Sequence, residues 1–255
     1  TIERLEDRTV LAPLSGAITV PGTPDDNILT LNLTGAASGN YVLDGADPVA
    51  FTGCTSFTFD GGDGDDSFVL SQSSATLGSS CVINVHGQGN SATPGDTLEV
   101  QGGSFDTVTY NYSNANDGKI QFDPDGPGGT AAATINYTGL EPITNSGTAA
   151  DIIFNLPATA DEAVLEDDGT VGNDTSRLRS NNGTFEVTTF VNPTGSLAIN
   201  AGDGDDTLTA ASPDPLSGSM TIDGGGGTNT ATVANVTVSG SSGDGLRGDT
   251  SGEMN

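Results

Sequence analysis

A thirteen-residue segment of this chain recurs 140 residues further on, and that recurrence limits the fold more than any other feature. SFTFDGGDGDDSF (56–68) matches SLAINAGDGDDTL (196–208) at six of thirteen positions, including the whole run GDGDD. Most of the remaining pairs are conservative, such as Phe57 with Leu197 and Phe59 with Ile199. The match continues downstream, CVINVHGQG (81–89) against SMTIDGGGG (219–227), and more weakly upstream, NILTLNL (27–33) against DEAVLED (161–167). The chain therefore divides into a leading segment (1–25), a complete module (26–150) and a second, truncated module (151–255).

Each copy holds a shorter period. Gly62 to Gly87 spans 25 residues and Gly202 to Gly225 spans 23, each interval carrying two or three short β-rich runs. That length suits one coil of a solenoid, whose apolar face is buried only by stacking on its neighbours. The expected fold is all-β, an elongated parallel β-helix or β-solenoid. Tandem β-sandwich domains are the alternative, because strands at this spacing also suit a sandwich. Helix is nearly excluded: outside IERLEDRTVLA (2–12), no stretch carries apolar residues at i, i+3, i+4 and i+7. With 37 glycines, 13 aromatic residues and no tryptophan, the chain can line a narrow core but not a wide one.

Charge decides which partners are credible. Six basic against 34 acidic residues give a net charge of −28. Nucleic acid and anionic membranes are repelled, since binding them needs clustered cations. A compact chain this acidic repels itself unless counterions intervene, and divalent cations suit that task. No run of 18 apolar residues offers a membrane-spanning helix, so no membrane insertion is expected. The first residue is Thr1, from which removal of an upstream segment is expected.

The motif GGDGDDSFV (61–69), repeated as AGDGDDTLT (201–209), resembles the glycine-rich nonapeptide of haemolysin-type calcium-binding proteins. The residue types fit Ca²⁺: glycines turn carbonyls toward one point, and aspartates add hard carboxylate oxygens. The expected ligands are Asp63, Asp65 and Asp66 with Asp203, Asp205 and Asp206. Unlike that family's motifs, each copy here stands alone, and its stacked neighbour lies one coil away. The neighbour offers Asn90 and Asp96 to the first site, and Asp223 and Asn229 to the second. Such half-sites would hold Ca²⁺ only in the 10⁻⁴ to 10⁻³ M range of extracellular modules. The competing reading of GDGDD is a solvated turn, and the acidic loops 123–126 and 166–174 are read as turns.

Cys54 and Cys81 lie 27 residues apart, close to one coil, so stacking would bring them within disulfide reach; two separately buried thiols are the alternative. No enzyme is expected. His86 is the only histidine and reads as a solvated turn residue. No nucleophile elbow or zinc spacing occurs, and nothing in the sequence opposes Asp65/Asp66 or Asp205/Asp206 with a second carboxylate pair.

LEDRTVLA (5–12) resembles the N-terminal signature of large extracellular repeat proteins of planctomycete bacteria, and INYTGLEPI (135–143) resembles their repeat modules. The resemblance implies export and a cell-surface or matrix location. The sequence is thus read as a secreted structural or adhesive surface protein, calcium-stabilised, contacting surface or matrix components and polymerising end to end. A carbohydrate-binding or carbohydrate-cleaving β-helix is the alternative.

Overall fold

A computed structural model describes residues 12–89, 95–126, 129–211, 213–234 and 246–249. The LEDR-like segment up to residue 11 and Asn90 lie outside them. The described residues form strands and turns without helix. In chain order the strands begin with β1 (Leu14–Pro21), β2 (Ile28–Gly35), β3 (Ser38–Leu43), β4 (Val49–Asp63), β5 (Ser67–Ser71), β6 (Val82–Gly89) and β7 (Asp96–Gln101). There follow β8 (Ser104–Tyr112), β9 (Gly118–Asp123), β10 (Ala133–Thr138), β11 (Leu140–Asn145), β12 (Thr148–Asn155) and β13 (Glu162–Asp167). The last are β14 (Thr175–Ser180), β15 (Thr188–Val191), β16 (Ser196–Asn200), β17 (Thr207–Ala211), β18 (Ser219–Asp223), β19 (Thr230–Ala234) and β20 (Leu246–Asp249).

The pairings arrange these strands in two runs. One reads β1-β4-β6-β10-β9-β8-β12-β16-β18-β20. The other reads β3-β2-β5-β7-β11-β15-β14-β13-β17-β19. Strand β3 also pairs with the start of β4, tying the runs together into one nearly closed, barrel-like sheet. The chain mostly alternates between the runs and returns parallel to its previous visit. Antiparallel meanders, β8-β9-β10 in one run and β13-β14-β15 in the other, interrupt that order. The all-β expectation holds, but the sheet is mixed, not wholly parallel as a plain β-helix requires. The physical reason is local: turns such as Asn114–Asp117 and Asp123–Gly126 close on their own side-chain hydrogen bonds, which favours hairpins. Strand β12 straddles residue 150 and pairs with both β8 and β16.

Side chains alternate along each strand with period two, one face inward. The inward residues of both runs join a single apolar cluster extending from Ile18 to Ile222. Aromatic rings bridge the runs, Phe57 to Phe68 at 6.4 Å and Phe154 to Phe190 at 5.0 Å between centroids. In-register partners stack within a run: Tyr110 on Phe154 at 4.8 Å, and Asn200 Nδ2 donating to Asn155 Oδ1, whose own Nδ2 donates to Asn111 Oδ1. The turns stack as tightly. Gly64 has a φ of 114°, and a Cβ there would meet the backbone of Asp25 and Asp26 at 2.9 Å, so only glycine fits.

The structure joins Cys54 of β4 to Cys81, just before β6, in a disulfide with Cα atoms 5.1 Å apart. It staples two neighbouring strands whose register starts at Ser56 and Val82. Closing a loop of 27 residues restricts the unfolded chain. Replacing both cysteines by serine should therefore lower the unfolding free energy by about 3 kcal/mol, read as a fall in the denaturant midpoint with a steeper slope, because the uncrosslinked unfolded chain exposes more surface.

Candidate functional site

The acidic motifs converge on one corner, where the chain passes from the first strand run to the second. Six of the strands entered from the first run carry an Asp or Asn at the entry: Asn27 before β2, Asp66 before β5, Asp96 opening β7, Asp161 before β13, Asp206 before β17 and Asn229 before β19; β11, entered from β10, has Gly139 instead. All six are buried. The backbone N–H of Asn27 donates to Asp66 Oδ1 at 2.7 Å, and that of Asp66 donates to Asp96 Oδ1 at 2.7 Å. The second copy repeats this: Asp161 N–H to Asp206 Oδ1, and Asp206 N–H to Asn229 Oδ1, both at 2.9 Å. Each carboxyl thus caps the incoming amide of the adjacent turn. A small residue five positions earlier makes room (Gly22, Gly61, Ala201 and Gly224). A Cβ on Gly61 would overlap Asp66 Oδ2, and one on Gly87 would overlap Asp96 Oδ2.

The other carboxyl oxygen explains the chemistry of the corner. Oδ2 of Asp66, Asp96 and Asp206 is buried and meets no donor among the described residues. At Asn229, in the equivalent place, Nδ2 donates to Gly224 O at 2.8 Å, with Gly226 O at 3.4 Å and Gly225 O at 3.5 Å. The corner therefore presents acceptors, and an aspartate there needs either a proton on Oδ2 or a cation beside it. Burial is the main cause that raises all three carboxyls. The charges of Asp26, Asp44 and Asp65 add at Asp66. Asp96 is pushed up to about 6, with Asp66, Asp65 and Glu141 contributing after burial. Asp206 is raised by burial and then by Asp205. Asp161 behaves likewise: its Oδ2 is buried without a partner among the described residues and burial raises its carboxyl, opposed by the hydroxyls of Thr184 and of Thr159, the latter 3.4 Å from Oδ1.

The remaining expected ligands point elsewhere. Asp63, Asp203 and Asp205 are exposed, and Asp205 Oδ1 accepts the Thr228 N–H at 2.8 Å. Asp65 is half-buried, its N–H donating to Asp26 Oδ1 at 2.9 Å. Asp223 ends β18 and accepts the Gly225 N–H at 2.9 Å. Only the last aspartate of each GDGDD enters the corner. Among the described residues no three Asp, Glu, His or Cys side chains are grouped as they would be around a metal ion. Asp96 and Asn229 meet the amides of Asp66 and Asp206 at the corner, whereas Asp223 is in register with Asn200 at the end of β16 and stops short of it. His86 sits within β6, not in a turn, with Nδ1 2.6 Å from Asp60 Oδ1. The loop 166–174 is fastened by Asp214, which accepts the N–H groups of Gly172 and Asp174 and is thereby held below the usual carboxylate range. Asn27 and Asp161 were not singled out from sequence; the spacing of five from a small residue, Gly22, could have found Asn27, whereas Leu156 stands five before Asp161 and leaves no such signal there.

The raised carboxyls make a pH prediction. A folded-state pKa above the unfolded value means that the folded chain holds the proton more tightly. Stability is then greatest below the unfolded value near 3.8 and declines as pH rises through about 6 for Asp96. In metal-free buffer, Asp96→Asn should remove the Asp96 share of that decline, leaving those of the other raised carboxyls, and raise stability at pH 8 by on the order of 1–2 kcal/mol. Its amide would supply the donor that Asn229 supplies. Denaturant melts at pH 4.5, 6 and 8 measure this.

No protein-family model matches the chain, and neither a curated protein nor a solved structure is found to be similar to it.

Proposed function

We propose that this chain is a secreted structural or adhesive component of a cell surface or matrix, wound as a two-faced β-solenoid with Ca²⁺ held at its acidic turns. The observation that carries this reading is the strand pairing: thirteen of the nineteen described pairings are parallel, each joining a strand to its counterpart one turn away. Stacked turns make a rod, and a rod with a continuous core and locked corners suits mechanical or adhesive work. The disulfide fits an oxidising compartment, and no helix among the described residues is long and apolar enough to cross a membrane.

Calcium is the proposed countercharge. Asp66 and Asp206 would contribute their unpartnered oxygens, loop carbonyls the rest, and Asp63, Asp65, Asp203, Asp205, Asp96 and Asp223 the surrounding negative field. Self-assembly is supported by strand edges: β1, β19 and β20 each pair on one side only among the described residues. Such edges invite strand addition by another copy. At −28 per chain that contact would need Ca²⁺ to form. A carbohydrate-binding or -cleaving role is less well supported, because the large apolar side chains exposed among the described residues are all aliphatic.

Millimolar Ca²⁺ should raise the melting temperature, chelator should lower it, and Asp66→Asn should remove part of the difference. Identical melting in both conditions would overturn the calcium reading. Sedimentation in millimolar Ca²⁺ should show assemblies of the full chain that vanish when residues 1–20 are deleted; monomers in both samples would rule out strand exchange.

A further inference from the structure

A cleft of about 450 Å³ lies at the junction of the two meanders, beside the Asp96 end of the acidic corner. Its walls come from Ala115 in the β8–β9 turn, Glu141 and Pro142 of β11, and Phe185, Glu186 and Val187 ahead of β15. The walls are mostly apolar apart from the two glutamates and Ser180, whose hydroxyl donates to Asn182 Oδ1 and accepts the Thr184 N–H. Glu186 is only 4% exposed, and its Oε1 accepts the Val187 N–H at 2.7 Å. No second partner of its carboxyl occurs among the described residues. Glu141 accepts a hydrogen bond from Asn116 Nδ2. None of the lining residues is basic, and Arg177 and Arg179 are both committed to Glu166 at 2.7 Å.

Two carboxyls in one apolar cleft, one of them buried with an oxygen to spare, require a positive ligand or a proton. Calcium suits the place poorly: it takes six to eight oxygens, and the cleft offers two carboxyls among hydrocarbon walls. An ammonium group on an alkyl stem matches better. Its three N–H donors can divide between the carboxyls, while the stem packs on Pro142, Phe185 and Val187.

We propose that this cleft binds a primary ammonium group carried on an apolar stem, either a lysine side chain of a partner protein or a free polyamine. Charge complementarity supports it, since a chain of −28 concentrates cations around itself. The state of Glu186 supports it too. Burial, with the charge of Glu141 adding, pushes its carboxyl up to about 8. The other titratable groups near it are Tyr137 and Tyr112, both raised by burial and neutral there. An ammonium bound beside Glu186 would hold it ionised, so binding releases a proton below pH 8 and weakens as pH falls.

Isothermal titration of the full chain with n-butylamine tests this. Affinity should rise roughly tenfold per pH unit up to about pH 8, with proton release at pH 7 seen by comparing buffers of different ionisation enthalpy. Glu186→Gln should abolish binding; if that variant does not fold, Glu141→Gln should weaken it. Tighter binding of Nα-acetyl-lysine amide than of 1,4-diaminobutane assigns the ammonium to a protein lysine, and the reverse assigns it to a polyamine. No binding of butylamine at pH 9 to a chain with an intact melting transition would overturn the proposal. Equal binding of n-butanol would also overturn it, leaving only an apolar cleft. Neither result bears on calcium at the acidic corner.

Discussion

The architecture depends on one hydrogen bond made repeatedly: a backbone N–H at the corner of one turn donates to the buried Oδ1 of the Asp or Asn at the corner of an adjacent turn. At a corner the chain leaves one strand run for the other, so its amide has no ladder partner there. A buried amide without a partner costs about as much as a lost hydrogen bond. A short side chain with an acceptor two bonds from Cβ reaches across the gap between stacked turns. It also fixes the register, since a slip of one residue would turn apolar faces outward and orphan the corner amides together.

That solution carries an electrostatic burden. A carboxyl supplies the acceptor, but its second oxygen is buried and meets no donor among the described residues. Asparagine at 229 has no such difficulty, because its amide donates where the aspartates cannot. The aspartates at 66, 96 and 206 make their turns responsive to whatever neutralises them, a proton or a cation, and so couple stability to the medium outside. The aspartates around them, exposed at 63, 203 and 205 and half-buried at 65, set the local field without entering the corner.

The all-β class, the two copies and the disulfide were legible because each follows from short-range pattern: alternation, an offset of 140, and cysteines one coil apart. The antiparallel meanders were not. Their strands alternate just as parallel ones do, and nothing in the alternation of β9 or β14 records the direction of a neighbour. GDGDD was recognised as an acidic glycine turn, yet its three carboxylates part company because Asp65 and Asp66 are consecutive at a strand entry, where side chains take opposite faces. The Glu141–Glu186 cleft joins residues 45 positions apart with no motif linking them.

Sequence by itself determined the local grammar of this protein: where strands start and stop, which residues face inward, and that its charge must be neutralised. Those properties depend on near neighbours along the chain. Tertiary structure alone decided which turn stacks on which, which aspartate of each acidic run is buried, and which glutamates share a cleft. A carboxyl's partners, and hence its charge, come from chain segments that only folding brings within 3 Å, as when Asp66 meets Asn27 and Asp96.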